Sequence, residues 1–230
     1  MSVPHWMSRT ALLLEEEQIH KLTNANVLVV GLGGVGGICA EMIARAGVGQ
    51  MTIVDADVVE ASNRNRQLPA LVSTDNRLKA EVMAERLRDI NPDIRLTVLN
   101  EFLKDDRTKE VIREGKFDYA VDCIDTLSPK VFFIKACLEA GLPLVSSMGA
   151  GGKVDPSKVE VLDISETYNC NLARYVRKRL HRHGIRKGLK VVFSGEQADS
   201  SKVIEIAGMY EIVPITDFLG APPAIFGCTC

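Results

Sequence analysis

A row of five polar residues is the clearest candidate for binding chemistry in this sequence. Asn63, Arg64, Asn65, Arg66 and Gln67 follow one another without an apolar residue between them. Two guanidinium groups and three amides are unsuited to a hydrophobic core, whereas planar guanidinium forks match the oxygen atoms of phosphate groups. The row therefore predicts a loop that binds phosphate.

Lys79 is a second candidate for contact with phosphate. It lies near the start of a predicted helix, 75–90, and away from an apolar stripe that includes Leu78, Val82 and Leu87. A single lysine in such a position is most often a solvated surface residue. Its place shortly after the arginine row indicates instead that the ammonium group points into the same crevice.

A glycine-rich turn stands between a predicted strand and a predicted helix. The apolar run 27–30 is rich in β-branched residues, as is typical of a strand that is buried on both faces. Gly31, Gly33 and Gly36 follow with the spacing of a nucleotide-binding turn, and Gly34 lies among them. The N-terminus of the next helix suits an anion. The motif alone does not separate a dinucleotide from a mononucleotide.

Acidic residues follow two of the predicted strands. Asp55 ends the second strand, about 20 residues after the glycines, where an acid meets a ribose hydroxyl in nucleotide-binding folds. Asp57 is a second candidate, although an acid at a strand end can also simply cap a turn. Ligands of doubly wound sheets bind outside the carboxyl ends of the strands. We therefore expect Gly31, Asp55, Asp125 and Ser147 to converge there.

Predicted strands alternate with predicted helices along most of the chain. This order indicates βαβ units and an α/β fold with a doubly wound, mostly parallel, Rossmann-like sheet and a C-terminal α+β extension. We expect a helical lead-in over 1–25, a nucleotide-binding core over 26–150 and a substrate-binding extension over 151–230. The predicted strands are 27–30, 50–55, 95–98, 119–124, 142–147, 159–164 and 191–194, and the predicted helices are 9–22, 38–46, 75–90, 107–115 and 130–139.

Composition narrows the class of protein. Hydrophobic residues make up 46% of the chain and charged residues 25%, which is enough for a sizeable core, and no apolar run is long enough to cross a membrane. None of the six cysteines forms a Cys-x-x-Cys pair, and we recognise no signal peptide, so we expect reduced, buried thiols in a cytoplasmic protein. They are Cys39, Cys123, Cys137, Cys170, Cys228 and Cys230.

A basic segment extends from Arg174 to Lys190. It contains eight of the 28 Lys and Arg residues, together with Tyr175 and two histidines, and no acidic residue. A solvated helix face is the ordinary explanation of such a run. In a chain whose net charge is −2, however, a cluster of one sign around a tyrosine favours contact with a phosphate backbone. The segment predicts nucleic acid or another polyanion as a partner.

Taken together, these motifs resemble those of the adenylating enzymes related to ubiquitin-activating enzyme, the ThiF/MoeB/HesA group. The resemblance spans residues 9–165 and includes the glycine turn, the arginine row and the Cys-Ile-Asp run that ends at Asp125. It implies a homodimer that binds ATP and Mg²⁺ and adenylates a carboxylate. Glu15 stands where the group has a glycine, so the alignment is weakest in the N-terminal segment.

The resemblance also implies roles for individual residues. Asp55 holds the ribose, Asp125 binds Mg²⁺ or places the phosphates, and Arg9 reaches the nucleotide of the partner protomer. The residues that act on the triphosphate are Asn63, Arg66 and Lys79, and the remaining nucleotide contacts are Gly31, Gly33, Gly34, Gly36, Asp57 and Gln67.

Within the group, the chain is most similar to the tRNA threonylcarbamoyladenosine dehydratases. The run 79–92, the run 148–156 and the basic segment with Phe193-Ser-Gly-Glu behind it carry this similarity. It implies an ATP-dependent cyclisation of a modified adenosine, with tRNA bound at the basic segment. It leaves open a monovalent cation that orders the loop after Gly149 and a cysteine desulfurase or sulfur-carrier relay as a partner.

Other classes of function remain as alternatives. The first is an adenylyltransferase that activates the C-terminus of a small ubiquitin-like sulfur carrier, but the two Cys-x-x-Cys pairs of its structural zinc are missing, so we expect no zinc. A dinucleotide oxidoreductase has no evident use for two arginines at 64 and 66. An inactive relative that only binds a partner does not need the intact polar set.

The apolar end 224–230 resembles the start of a helix, and we expect the native chain to continue past Cys230.

Overall fold

A computed structural model describes residues 3–197 and the strands at 203–205 and 212–214. The strands are β1 (Asn26–Val30), β2 (Gln50–Val54), β3 (Arg95–Leu99), β4 (Tyr119–Asp122), β5 (Leu144–Ser147), β6 (Val159–Asp163), β7 (Lys190–Ser194), β8 (Val203–Glu205) and β9 (Ile212–Pro214). The α-helices are α1 (Thr10–Leu13), α2 (Glu16–Asn24), α3 (Gly36–Arg45), α4 (Lys79–Ile90), α5 (Asp105–Gly115), α6 (Leu127–Glu139) and α7 (Asn171–Arg182).

Seven strands form one sheet in the order β3-β2-β1-β4-β5-β7-β6. All neighbours are parallel except β6 and β7, and β8 and β9 form a separate antiparallel pair. The prediction of a doubly wound, mostly parallel sheet is confirmed. Strand order reverses at β1, whose last residue Val30 is level with Val54 of β2 and Asp122 of β4. The crevice at this switch point is where ligands of such sheets bind.

Side chains alternate between the two faces of the sheet and build a core on each. Leu28 of β1 packs in a cluster with residues of α6, α7 and β7, whereas Val29 packs with residues of α3 and α4. A strand that is buried on both faces needs a continuous apolar sequence, and β1 has one. Strands β6 and β7 lie in the sequence of the predicted extension, yet they continue the same sheet.

The prediction of one continuous helix over 9–22 is wrong, because the structure has two helices there, α1 and α2. Glu15 has extended backbone angles and separates α1 from α2. Its N–H donates a hydrogen bond to Gln18 Oε1 at 3.2 Å, which caps the start of α2. Leu12 and Leu13 are strongly exposed, so α1 does not bury the apolar side that the pattern predicted.

The predicted helix 75–90 begins four residues late. Asn76 has a left-handed φ of 64°, and Leu78 pairs with Val58 in an isolated β-bridge, so the chain turns before α4 starts at Lys79. Leu78 is consequently exposed and lies outside the buried stripe, whereas Lys79 is buried. Other predicted bounds shift by two or three residues: α2 ends at 24, α3 starts at 36, α5 starts at 105, α6 starts at 127, β4 ends at 122 and β5 starts at 144.

The cysteines that the structure describes are thiols rather than disulfides. Cys39, Cys137 and Cys170 are buried, as predicted, and Cys123 is partly exposed. Burial raises the pKa of the Cys137 thiol far above its ordinary value. Cys228, Cys230 and the apolar end 224–230 lie outside the described residues.

Candidate nucleotide-binding site

Two glycines allow the turn after β1 to be tight. Gly31 has a φ of +88°, and a Cβ added to it would lie 2.7 Å from the carbonyl oxygen of Cys123. A Cβ on Gly36 would lie 1.7 Å from the carbonyl oxygen of Gly31. Between them, Gly33 and Gly34 are partly exposed. No side chain caps the N-terminus of α3, although the N–H of Gly37 donates to the carbonyl oxygen of Gly33 at 3.0 Å, and this end of a helix favours an anion.

Asp55 ties the end of β2 to this turn. Its Oδ2 accepts a hydrogen bond from the N–H of Leu32 at 2.7 Å, and its Oδ1 accepts one from the N–H of Asp57 at 2.8 Å. Burial raises the pKa of Asp55, against the effect of these two hydrogen bonds and of the nearby Lys79 ammonium. The structure thus brings the predicted acid and the predicted glycine turn together.

Lys79 reaches the same place from the start of α4. It is only 6% exposed, and its Nζ lies 3.1 Å from Oδ2 of Asp57. Its backbone N–H donates to the carbonyl oxygen of Asp57 at 2.9 Å. The buried cation has a single carboxylate partner that is itself exposed. Such a partner can be exchanged for a phosphate oxygen.

The two arginines of the polar row have different surroundings. Arg64 forms an ion pair with Asp75. Arg66 donates from Nη1 to Oδ1 of Asn65 at 2.9 Å and to the carbonyl oxygen of Ser62 at 3.3 Å. Asn63 is buried, and its Oδ1 accepts a hydrogen bond from the N–H of Glu60 at 3.2 Å. Asn63 therefore shapes the loop.

Gln67 faces the glycine turn and contains an unsatisfied atom. The residue is 9% exposed, and a Cβ on Gly33 would lie 3.7 Å from its Nε2. Its Oε1 is buried without a hydrogen-bond partner in the described structure. A buried acceptor without a donor is costly. The site therefore fits a ligand that brings a donor, such as a sugar hydroxyl or a base amine, to this oxygen.

Asp125 follows β4 and is exposed at the same end of the sheet. Behind its loop lies an ion pair that the sequence analysis missed, between Asp122 and Lys130, which are 2.9 Å apart and fully buried. Ser147, the other predicted neighbour, is buried, and its Oγ donates to the carbonyl oxygen of Met148 at 3.3 Å. A lysine inside the apolar run of α6 is the signal that could have revealed the pair.

The loop after Gly149 is held by a cation of the protein itself. Lys153 is buried, and its Nζ donates to the carbonyl oxygens of Asn169, at 2.9 Å, and of Glu196. Burial lowers the pKa of this ammonium group. The carboxylate of Glu196 accepts from two backbone N–H groups of the loop, those of residues 154 and 155.

The basic segment as far as Arg182 lies on α7, which has one apolar face and one cationic face, and the rest of the segment forms the connection to β7 and its first residue. Ala173, Val176 and Leu180 are buried. Arg177 is partly buried, and its Nη1 donates to the carbonyl oxygens of residues 164 and 167. Arg179 donates to Oγ of Ser128, three residues after Asp125, at 2.7 Å. The exposed members of the segment are Arg174, Tyr175, Lys178, Arg179, His181, Arg182, His183, Arg186, Lys187 and Lys190.

Arg9 lies away from this arrangement. Arg9 is exposed just before α1, and within the described chain no hydrogen bond or ion pair joins its side chain to the glycine turn. Among residues 3–197, no group of three or more His, Cys, Asp or Glu side chains is arranged to hold a metal ion. In the same part of the chain, no helix has the length and apolar character of a membrane span.

A glycine turn at the switch point of a Rossmann-like sheet, with Asp55, Gln67 and Lys79 close by, is the arrangement found in nucleotide-binding α/β proteins. The particular family follows from comparison with known proteins. The chain belongs to the ThiF family, whose model matches residues 7–230.

Relatives with assigned activities are similar over much of the chain. A tRNA threonylcarbamoyladenosine dehydratase of Bacillus subtilis is 41% identical over 192 residues, which are 84% of this chain and 75% of that protein. A crystal structure of the Escherichia coli tRNA N6-threonylcarbamoyladenosine dehydratase in complex with ATP superposes with a TM-score of 0.87 and 35% identity, covering 99% of this chain and 93% of that one. The sulfur carrier protein ThiS adenylyltransferase of Escherichia coli is 35% identical over 136 residues, 58% of this chain and 53% of that protein.

Proposed function

We propose that this protein uses ATP to dehydrate, and thereby cyclise, threonylcarbamoyladenosine in tRNA. The observation that carries the proposal is the pair of polar groups beside the glycine turn: among the described residues, Oε1 of Gln67 has no donor, and the buried Lys79 has one carboxylate partner, which is exchangeable. Both are satisfied by a nucleotide. The 41% identity with a dehydratase of this specificity supports the choice of substrate.

The proposed chemistry is activation of a carboxylate. A carboxylate is a poor electrophile, because its leaving group would be an oxide. Attack of a substrate carboxylate oxygen on the α-phosphorus of ATP releases pyrophosphate and gives a mixed anhydride, whose leaving group is AMP. An atom of the same threonylcarbamoyl group then displaces AMP and closes the ring, with net loss of the elements of water. The second step is intramolecular, so it gains from proximity and needs no covalent enzyme intermediate.

The residues of the site have roles that suit this chemistry. In the proposal, Asp55 accepts from the ribose hydroxyls, and Arg66 and Lys79 neutralise the triphosphate. Asn63 shapes the loop, and Oε1 of Gln67 accepts from a donor of the nucleotide. Asp125 contributes a carboxylate ligand for Mg²⁺, which is compatible with the absence of a larger cluster among residues 3–197, because Mg²⁺ beside ATP is held by one or two carboxylates, phosphate oxygens and water. When bound, Mg²⁺ neutralises charge on the phosphates.

The tRNA binds, in this proposal, along the exposed face of α7. Its arginines and lysines meet the phosphate backbone, and Tyr175 offers an exposed ring within the cationic face. The contact between Arg179 and Ser128 places one end of this face beside the loop of Asp125. A backbone held on α7 can therefore present a modified adenosine at the carboxyl ends of β1 and β4.

The proposal includes assembly and location. Two copies of the chain form a homodimer in the cytoplasm, and Arg9 of each protomer completes the partner's site. A cysteine desulfurase or sulfur-carrier relay is an optional partner. A monovalent cation beside the loop after Gly149 would supplement the ammonium group of Lys153, which already binds two carbonyl oxygens there.

The decisive experiment is mass spectrometry of nucleosides. The protein is incubated with ATP, Mg²⁺ and tRNA that carries threonylcarbamoyladenosine. We expect a modified adenosine lighter by one water, formed only when ATP is present. An unchanged nucleoside, together with adenylation of a ThiS-like sulfur carrier under the same conditions, would replace the proposal by the adenylyltransferase function of the second class of relatives.

A further inference from the structure

A buried ion pair lies directly behind the loop that carries Asp125. Lys130 belongs to the first turns of α6 and Asp122 is the last residue of β4, and both are fully excluded from solvent. Burial raises the pKa of Asp122, and the Lys130 ammonium group is the largest opposing influence. Desolvation of two charges can cancel their attraction, so a buried pair is weak evidence of a role in stability alone.

The ion pair forms hydrogen bonds with both backbone groups of one loop residue, Ile124. Lys130 Nζ donates to the carbonyl oxygen of Ile124 at 2.8 Å, and Oδ1 of Asp122 accepts from the N–H of Ile124 at 3.0 Å. Ser146 Oγ donates to the other carboxylate oxygen, Oδ2, at 2.6 Å. Two soft dihedral angles of the loop are thereby fixed immediately before Asp125.

The same loop also packs closely against the glycine turn. A Cβ on Gly31 would lie 2.7 Å from the carbonyl oxygen of Cys123 and 3.3 Å from the nitrogen of Ile124. The N–H of Cys123 donates to the carbonyl oxygen of Val30 at 2.8 Å. Asp125 is thus the first exposed residue after a segment that is held on both sides.

We infer that Lys130 and Asp122 are positioning residues: they fix the Ile124 peptide and, through it, place the Asp125 carboxylate against the Mg²⁺-bound triphosphate. The inference rests on the proposed function, because it requires MgATP at this site. A displacement of a reacting group by about 1 Å can cost about 100-fold in rate. The effect passes through Asp125, so it disappears when Asp125 is removed.

The test uses a paired substitution that removes both charges together, Asp122→Asn with Lys130→Met. Calorimetry measures the affinity for MgATP and for AMP of the wild-type chain, the paired variant, Asp125→Ala and their combination. We expect the paired variant to bind MgATP about tenfold more weakly but AMP within twofold, and to cause no further loss in the Asp125→Ala background. Hydrogen exchange at the Ile124 amide should become faster.

A matched control neutralises another ion pair of the same helix. Lys135→Met with Glu139→Gln removes an exposed i,i+4 pair of α6 and should change neither affinity. If the buried paired variant does not fold, Ser146→Ala loosens Asp122 more gently, and a severalfold loss of MgATP affinity without loss of AMP affinity is expected. The inference would be overturned if the paired variant lowered MgATP affinity further in the Asp125→Ala background, or if it lowered the affinities for AMP and MgATP equally. Neither result would affect the proposed function. A wild-type chain that binds no MgATP would overturn the proposed function as well.

Discussion

At the scale of single residues, the site contains two buried lysines that cannot do the same work. Lys79 has one carboxylate partner, Asp57, which is exposed to solvent. Lys130 has Asp122 and the carbonyl oxygen of Ile124, and both members of that ion pair are enclosed. We therefore expect Lys79 to exchange its partner for a ligand oxygen, whereas Lys130 stays in place in every state of the protein.

Replacement of Arg66 by alanine should abolish adenylation and leave the fold intact. The guanidinium group neutralises charge on the triphosphate, and loss of one such donor typically costs at least about 100-fold in rate. The side chain is only partly buried, so the free energy of unfolding should change by less than about 0.5 kcal/mol. Pyrophosphate release and urea unfolding measure the two quantities. Arg88→Ala, on the exposed face of α4, is the control. A folded Arg66→Ala protein with wild-type activity would contradict the proposed mechanism.

Replacement of Gln67 by methionine should separate stability from binding. The substitution removes a buried acceptor that has no partner, so the free energy of unfolding of the unliganded protein should rise by about 1 kcal/mol. The same substitution removes an acceptor for the nucleotide, so the affinity for ATP should fall about tenfold. Thermal unfolding with and without ATP measures both effects. An unliganded variant that is less stable than the wild-type protein would show that Oε1 has a partner within the protein.

At the scale of elements, helix starts decide which charges meet. α4 begins at Lys79 rather than at residue 75, and this late start brings the lysine to Asp57 and the end of β2. α3 and α4 are joined by a charged contact, in which Glu41 of α3 accepts from Arg45 of its own helix and from Arg86 of α4. This contact fixes the helix that carries Lys79 against the helix that follows the glycine turn.

The contact of Glu41 predicts a dependence of stability on pH. Burial acts to raise the pKa of Glu41, but the hydrogen bonds and charges of Arg86 and Arg45 prevail and lower it. A carboxyl with a lowered folded-state pKa contributes stability that is present above its unfolded pKa and is lost as the pH falls through the folded pKa. Glu41→Gln should therefore cost about 1–2 kcal/mol at pH 7 and progressively less below about pH 4.

Urea unfolding of the two proteins at pH 7 and pH 3.5 measures this difference. Glu17→Gln is the matched control, because Glu17 forms an exposed i,i+4 pair with Lys21 on α2. Such surface pairs contribute little, so this control should change stability by less than about 0.5 kcal/mol at either pH. A cost of Glu41→Gln that does not shrink in acid would assign it to packing rather than to charge.

Charge reversal on α7 should weaken the binding of tRNA without affecting that of ATP. Arg174→Glu, Lys178→Glu and Arg182→Glu change three exposed side chains and avoid the anchored Arg177. The affinity for tRNA should fall at least about tenfold. The slope of log K against log salt should become shallower by about 1 for each phosphate group that the helix no longer neutralises.

A filter-binding salt titration measures both quantities. The control variant carries Lys21→Glu, Arg88→Glu and Arg113→Glu, which lie outside α7. Its net charge changes by the same amount as that of the α7 variant. An equal loss of affinity in the control would mean that α7 is no specific surface and that tRNA responds to net charge only.

At the scale of the whole molecule, the proposed homodimer makes each active site depend on two chains. In the proposed dimer, Arg66 comes from the chain that holds the nucleotide and Arg9 comes from the partner. Within residues 3–197, no hydrogen bond or ion pair joins Arg9 to the glycine turn of its own chain. In a closed twofold assembly, each chain contributes the same residue to the site of the other chain.

Mixing two inactive variants should therefore restore activity. When Arg9→Ala and Arg66→Ala chains are co-refolded in equal amounts, half of the dimers are mixed, and each mixed dimer has one intact site, which gives about a quarter of wild-type activity. Either variant alone should be inactive. A mixture without activity, although mass spectrometry under native conditions shows mixed dimers, would remove Arg9 from the site.

The sequence by itself determined the fold class, and it supplied the candidates for the proposed nucleotide site. The apolar run of β1 requires burial on both faces, and Gly31 and Gly36 are needed where backbone approaches backbone, so these local signals carry tertiary meaning. The two guanidinium groups of the row 63–67 were unsuited to a hydrophobic core, whereas Asn63 and Gln67 of the same row are buried. Element starts were less accurate, because the breaks at Glu15 and Asn76 depend on caps and bridges rather than on periodicity.

Only the tertiary structure decided which of these residues are buried, paired or left unsatisfied. The pairing of Lys130 with Asp122 joins a helix to the strand before it, and Oε1 of Gln67 is buried without a partner among the described residues. Burial and hydrogen bonding are properties of what surrounds a side chain, and those surroundings come from segments that are distant in sequence. Residue type and spacing therefore identify the candidates, and packing selects those that bind, those that position and those that only support.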